Sequence, residues 1–314
     1  MRPNMLVVGS LVMDLIVTTN RFCNAGETVI GTGFTTAPGG KGANQAVQAA
    51  RLGANVTMIG KVGNDDFGKR LIESVGASGV NTAYIGITDT APTAVGNVQI
   101  QANEHGTENR IIVVPGANME IQPCDVAFLQ NEINQYDMVI LQNEIPMEIN
   151  RLVAQYAKDA GVPVMLNPAP SAAIPAELIS CLTYISPNEH EAADITKTTD
   201  TDQAVQTLHQ LGVSNVLITL GKNGCAFSDG NEKIHSASVD CGKVVDPTAA
   251  GDSFIGAFCT AVAAGVAVQD ALVFANCTAG ITVSRMGAQT SLPTRDEVVA
   301  VMRQNGFSTE NRSE

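Results

Sequence analysis

The sequence predicts an α/β fold: a central, mostly parallel sheet flanked on both faces by helices, with a small β element added to it. Short β-branched runs alternate with helical stretches of 10–15 residues, and that alternation implies parallel strands joined by crossover helices. Two regions, 10–18 and 92–114, break the alternation. The second shows apolar residues at every other position in Ala94-Val95-Gly96-Asn97-Val98-Gln99-Ile100, the period of a strand. A chain of 314 residues with 45% apolar composition can bury a large core, and 1–314 is read as one domain.

Taken in order, a buried strand at 5–9 leads into the extended stretch 10–18. A helix follows at 44–52, a strand at 56–61 and a helix at 68–78. Beyond the β-rich 92–114 region come a strand at 138–141, a helix at 147–160, and strands at 162–166 and 184–186. A helix at 200–211 precedes a strand at 215–220. The run from Val244 passes through small residues into a helix with Phe254, Ala257, Phe258, Ala261 and Val262 on one face. The polar end, 303–314, is expected to fray. No linker, repeat or low-complexity tract interrupts the chain.

Eighteen basic against 31 acidic residues give a net charge of −13, which repels nucleic acid and anionic membrane surfaces. The apolar stretches fall short of the ~20 residues a membrane span needs, and no signal-peptide layout is seen, so the cytoplasm is the expected location. Seven cysteines without a Cys-x-x-Cys pair argue against a zinc site or a disulfide frame. The four histidines are dispersed in no metal-ligand or triad pattern.

Chemistry concentrates around Asp246-Pro247-Thr248-Ala249-Ala250-Gly251-Asp252. Small residues at 249–251 let a helix N-terminus approach an anion, with free N–H groups and the positive end of the dipole aimed at it. Asp252 in the first turn would take a proton from a substrate hydroxyl while those N–H groups hold developing charge. An Ala-Gly-Asp is also an ordinary helix entry with Asp as a cap. Upstream, Gly39-Gly40-Lys41-Gly42-Ala43-Asn44 lets backbone approach a ring closely, with Lys41 and Asn44 offering donors. It is equally a glycine-rich helix entry with Lys in solvent. Gly63-Asn64-Asp65-Asp66-Phe67-Gly68-Lys69-Arg70 fails as a phosphate loop: it ends in Arg and carries two carboxylates inside.

The Pro38-Gly39-Gly40-Lys41-Gly42-Ala43-Asn44-Gln45-Ala46 and Val244–Phe258 stretches together resemble the paired signatures of the ribokinase (pfkB-type) carbohydrate kinase family. The resemblance extends from Val7 to about Pro293, and Gly287-Ala288-Gln289 adds to it. It implies a ribokinase-like fold with a β lid drawn from about 11–35 and 92–114, and a homodimer formed through that lid. By that resemblance Asp252 is the base, and Ala249, Ala250 and Gly251 form the anion hole. Asp14, Gly39, Gly40, Lys41, Asn44 and Glu144 bind the sugar. Asn188 and Glu191 handle magnesium and phosphate, Thr219, Gly221 and Gly224 lie along the nucleotide, and Asn276 is on the helix flanking the adenine. Asp246, Thr248, Thr282, Arg285, Gly287 and Ser291 match the positions around a monovalent cation, several through main-chain carbonyls; potassium is expected.

Two residues depart from the family pattern. Pro247 stands where a Thr usually follows the cation-site Asp, removing an N–H and fixing φ. Val12 stands where ribokinases usually carry Asn, and cannot bond a sugar hydroxyl. The implied reaction is transfer of the γ-phosphoryl of ATP, with magnesium, to the 5-hydroxyl of a pentose. D-ribose is the first choice, 2-deoxy-D-ribose the alternative, and a non-catalytic sugar- or nucleotide-binding regulator the rival from another class.

Overall fold

Alternation along the first strand sets the layers. In β1 (Asn4–Val8), Met5 and Val7 belong to one apolar cluster and Leu6 and Val8 to another, all fully buried. Both faces of the sheet are therefore covered, as expected of parallel strands that read as continuous apolar runs. The computed structural model describes residues 2–103 and 106–308.

From β1 the chain enters β2 (Val12–Thr19) and β3 (Gly33–Gly39), then helix α1 (Lys41–Arg51), β4 (Asn55–Gly63), α2 (Asp66–Ala77) and β5 (Asn81–Thr88). β6 (Val95–Asn103) and β7 (Gly106–Val114) follow, then the short helices α3 (Pro123–Val126) and α4 (Leu129–Glu132). Next come β8 (Met138–Gln142), α5 (Met147–Asp159), β9 (Val164–Asn167), α6 (Ala176–Ile179), β10 (Tyr184–Ile185), α7 (Glu189–Thr196) and α8 (Thr201–Gln210). β11 (Asn215–Thr219), β12 (Cys225–Ser228) and β13 (Lys233–Ser236) precede the last three helices, α9 (Ala250–Ala263), α10 (Val268–Val283) and α11 (Arg295–Gln304).

Nine strands form the main sheet in the order β13-β12-β11-β10-β9-β8-β1-β4-β5. The seven from β11 to β5 are parallel, and β12 and β13 add an antiparallel edge. Helices α1, α2, α9, α10 and α11 cover one face, while α5 and α8 lie on the other. The expected α/β class is what the chain adopts. The four strands β3-β2-β6-β7 make a separate small sheet. β3 runs on to Gly39, beyond the expected 11–35, because Gly-Phe-Thr-Thr-Ala-Pro-Gly gives no alternation to read.

Helix α10 had no signal either. It is apolar nearly all round and packs on several sides, so no 3.6 period stands out. Of the polar end 303–314, only Arg303 and Gln304 belong to the final helix α11, and 309–314 lie outside the described residues. Among the described residues, no helix is long and apolar enough to cross a membrane.

Candidate active site

The carboxyl ends of the central parallel strands converge on one crevice, where ligands of open α/β sheets bind. Gln142 ends β8, Asn167 ends β9, Thr219 ends β11, and Ser10 and Ser186 lie just past β1 and β10. Opposite them stand the N-termini of α1 and α9, which pack against each other. Gly256 permits that packing: a Cβ there would meet Gln45 O and Gln48 Cβ, both at 2.9 Å. One turn earlier, Asp252 is carried to Asn44 and Gln45.

Asp252 is buried, 7% exposed, in the first turn of α9. Asn44 Nδ2 donates to its Oδ2 at 2.8 Å and Gln45 Nε2 to its Oδ1 at 3.0 Å. Ala249 enters the helix at φ 60°, a left-handed conformation costing a non-glycine residue roughly 1–2 kcal/mol. Ala250 N donates to Pro247 O at 3.2 Å. The N–H groups of Gly251 and Asp252 have no acceptor within the helix, as at any helix start. Both residues line a cavity of about 200 Å³, together with Ala249, Ala250, Lys41, Asn188, Glu191 and Thr219. A Cβ on Gly251 would meet nothing within 4 Å, so packing does not demand glycine there.

Lys41, first residue of α1, is half-buried on the same cavity. Burial works to lower its ammonium, but the carboxylates of Asp252, Glu144 and Glu191 hold it above its ordinary value. Gly40 caps the helix at φ 95°, and a Cβ would collide with Val12 N at 2.8 Å and Ser10 O at 2.9 Å. Glu144 Oε2 accepts from Lys41 N at 3.1 Å and from the hydroxyl of Ser10. Asp14 reaches between two glycines of neighbouring strands: a Cβ on Gly39 would lie 2.7 Å from its Oδ2, and one on Gly96 2.2 Å from its Oδ1. Burial, then the charge of Glu144, pushes Asp14 up to about 6. Val12 is on the same face of β2 as Asp14, with Cγ1 beside the Gly96 position. Asp14, Val12, Gly39, Gly40, Lys41, Asn44 and Glu144, the residues expected to bind the sugar, thus form one neighbourhood, joined to Asp252 through Asn44.

Asn188 and Glu191 form a capping box at the start of α7: Glu191 N donates to Asn188 Oδ1 at 2.9 Å, and Asn188 N to Glu191 Oε2 at 2.8 Å. Both still line the cavity, and Thr219 pairs with Asn188 along the strand ends. Gly221 and Gly224 follow at φ 53° and 85°, and a Cβ on Gly224 would strike Ser236 O at 2.0 Å. Asn276 is buried away from the cavity. Its Nδ2 donates to Ser236 Oγ at 2.9 Å, tying α10 to β13.

Behind the α9 N-terminus, Asp246 closes a loop. Its Oδ1 accepts from Thr248 N at 2.9 Å and Thr248 Oγ1 at 2.6 Å, and its Oδ2 from Gly287 N at 2.9 Å. Pro247 is accommodated because these bonds step over it to Thr248. The buried hydroxyls of Thr282 and Ser291 are spent locally, on Thr278 O and Ala288 O. The Arg285 guanidinium turns away to Glu297 at 2.6 Å, so only its main chain can face the loop.

Sequence reasoning assigned nothing to a chain of buried amides beneath the site. Gln142 Nε2 donates to Gln45 Oε1 at 2.7 Å, and Gln45 Nε2 also reaches Asn167 Oδ1 at 3.2 Å. The available signal was Gln45 and Gln48 falling on the face of α1 that also carries Ala49 and Ala46, where an amide must find partners.

Residues 2–295 match the pattern of the pfkB family of carbohydrate kinases. The chain is 42% identical over 295 residues to ribokinase from Bacillus subtilis, covering 94% of this chain and 98% of that one. It is 39% identical over 299 residues to ribokinase from Lactococcus lactis subsp. lactis, covering 95% and 96%. The solved structure of Arabidopsis thaliana ribokinase complexed with ribose and ATP aligns with a TM-score of 0.89 at 36% identity, covering 98% of this chain and 100% of that one. The chain belongs to the pfkB family of carbohydrate kinases.

Proposed function

We propose that this chain is an ATP-dependent pentose kinase that transfers the γ-phosphoryl group to the 5-hydroxyl of D-ribose. The observation that carries the reading is the ionisable Asp252 buried between the sugar-side donors and a cavity headed by two helix N–H groups. Asp252 takes the proton of the hydroxyl. The N–H groups of Gly251 and Asp252, with Lys41, face the charge on the transferred group. Asp14 accepts from ring hydroxyls, while Asn44 and the Gly39–Gly40 backbone hold the ring. Asn188, Glu191, Thr219, Gly221 and Gly224 border the nucleotide, and Asn276 supports that side by fixing α10 to the edge hairpin. Magnesium, keeping most of its waters, would be held near Asn188 and Glu191 and would neutralise phosphate charge.

The oxygen-only set of Asp246, Thr248, Ser291 and nearby carbonyls suits a hard monovalent cation, and potassium is the proposed one. Titrating KCl into enzyme kept in a bulky organic-cation buffer should raise turnover, and a flat response rejects the site. The small sheet is proposed as the lid of this single domain and as the face of a homodimer, in a cytoplasmic enzyme. A second substrate, 2-deoxy-D-ribose, is favoured by one observation: Val12 lies beside Asp14 where no hydrogen bond can be made. ADP release measured with ribose, deoxyribose, fructose and nucleosides tests the reading. Turnover highest with ribose supports it, and binding without turnover of any sugar would mark a regulator instead.

A further inference from the structure

We propose that Gln45 is a positioning residue that fixes which oxygen of Asp252 receives the proton, locking Oδ1 and leaving Oδ2 to the substrate hydroxyl. The proposal rests on the kinase reading above.

The two amides that hold Asp252 are consecutive on α1 and differ in how firmly they are held themselves. Asn44 is tethered through Nδ2 to Asp252 alone, and its Oδ1 is buried with no hydrogen-bond partner among the described residues. A buried acceptor without a donor costs about 1–3 kcal/mol, so this amide gains by meeting a hydroxyl. Gln45 is fixed at both ends. Its Oε1 accepts from Gln142 Nε2 at 2.7 Å, while its Nε2 is shared between Asp252 Oδ1 at 3.0 Å and Asn167 Oδ1 at 3.2 Å. Of the two anchors, Asn167 is held in turn by its Nδ2 donating to Ser186 O at 3.0 Å, while Gln142 is held at its main-chain carbonyl by Asn150 Nδ2 at 2.7 Å and its own Oε1 is buried with no partner among the described residues. Gln45 has no exposed surface, so water cannot replace those partners.

A hydroxyl arriving from the sugar side therefore displaces the singly held donor, Asn44, from Oδ2. Gln45 stays on Oδ1. Without it, the carboxylate would turn about its Cβ–Cγ bond and present either oxygen at varying angles, and proton removal needs one oxygen aimed at the hydroxyl. The amide chain from β8 and β9 thus sets the angle of a side chain on α9.

The test separates turnover from binding. Gln45→Leu should lower kcat about 10- to 100-fold and leave KM for ribose and ATP within about threefold, because it removes alignment and not a substrate contact. Gln45→Glu places a second carboxylate on Asp252 and should move the acid limb of kcat/KM up by roughly one pH unit or more. Gln142→Met frees Gln45 without touching Asp252 and should give a smaller loss of kcat in the same direction. Asn44→Leu should instead raise the KM for ribose. A kcat of Gln45→Leu within about twofold of the parent, or kcat and KM moving together, overturns the proposal. If Gln45→Leu does not fold, as judged by thermal unfolding and ADP binding, Gln142→Met decides by the same criterion. Parent enzyme that phosphorylates no pentose would take the kinase reading down as well. Parent activity that Asp252→Asn abolishes and Gln45→Leu preserves would sink this inference alone.

Discussion

Asp14 carries an electrostatic cost that can be measured. Burial first, and the charge of Glu144 second, raise it from 3.8 to about 6. The ionised form is disfavoured in the folded chain, so the penalty is absent below pH 3.8 and complete above about 6. Asp14→Asn should accordingly raise the melting temperature at pH 7, with the gain shrinking as pH falls through that window. Calorimetry of both proteins from pH 4 to 8 checks it, and a pH-independent difference would refute the assignment. The same ionisation should make ribose binding weaken as pH drops below about 6. Val12 predicts specificity. An apolar lining loses little when a hydroxyl is missing, so ribose should be preferred over 2-deoxyribose by no more than about tenfold. Val12→Asn should move kcat/KM toward ribose, and an unchanged ratio across both sugars and both proteins would retire this role.

At the scale of elements, α9 shows a helix whose start serves something other than its own stability. Gly251 sits in a helical turn, where Ala is better by about 1 kcal/mol in a helix interior, and a Cβ would enter empty space. Gly251→Ala should therefore melt no lower than the parent while kcat/KM for ATP falls at least about tenfold, since the methyl group occupies the cavity. Equal losses of stability and activity would show that glycine is kept for packing. This helix was legible in the sequence from its apolar spacing after residue 253, and its small-residue start gained meaning only beside the second glycine-rich stretch at 38–46. Gly39 and Gly40 were legible through the other long signature, whereas Asp14, outside both, was picked out only by the family resemblance. Gln142 and Asn167 were not, for their partner Gln45 is 97 and 122 residues away in the chain. Nor does a sequence say which way a side chain turns: the Asn276 amide points to Ser236 and the Arg285 guanidinium to Glu297. Six strands of the main sheet followed from their apolar runs; the edge strand β5 did not, being mostly unburied, and β12 and β13, four residues each, are too short to show a period.

For the molecule as a whole, the small sheet carries an apolar surface that solvent alone would not favour. Ile111, Ile112, Val113 and Val114 are all exposed along the edge strand β7, and Phe34 on β3 is 68% exposed. A bare apolar edge invites pairing with a second chain. The enzyme should therefore run as a dimer in light scattering, and Ile112→Asp with Val114→Asp should yield a folded monomer. A parent protein that stays monomeric at high concentration would rule out this face.

The junctions between the two sheets bear on how such an enzyme can change its sugar. β3 ends at Gly39 and α1 begins at Lys41, with Gly40 alone between them, packed on the Ser10–Val12 crossing. Glu144 bonds both crossings at once, through Lys41 N and the Ser10 hydroxyl. The small sheet is thus no interchangeable part. Grafting one from a relative would drag the first turn of α1, and with it Asn44 and Gln45, out of register with Asp252. On the role proposed for Val12, a new substrate preference should come from single replacements at that position and not from exchange of whole segments.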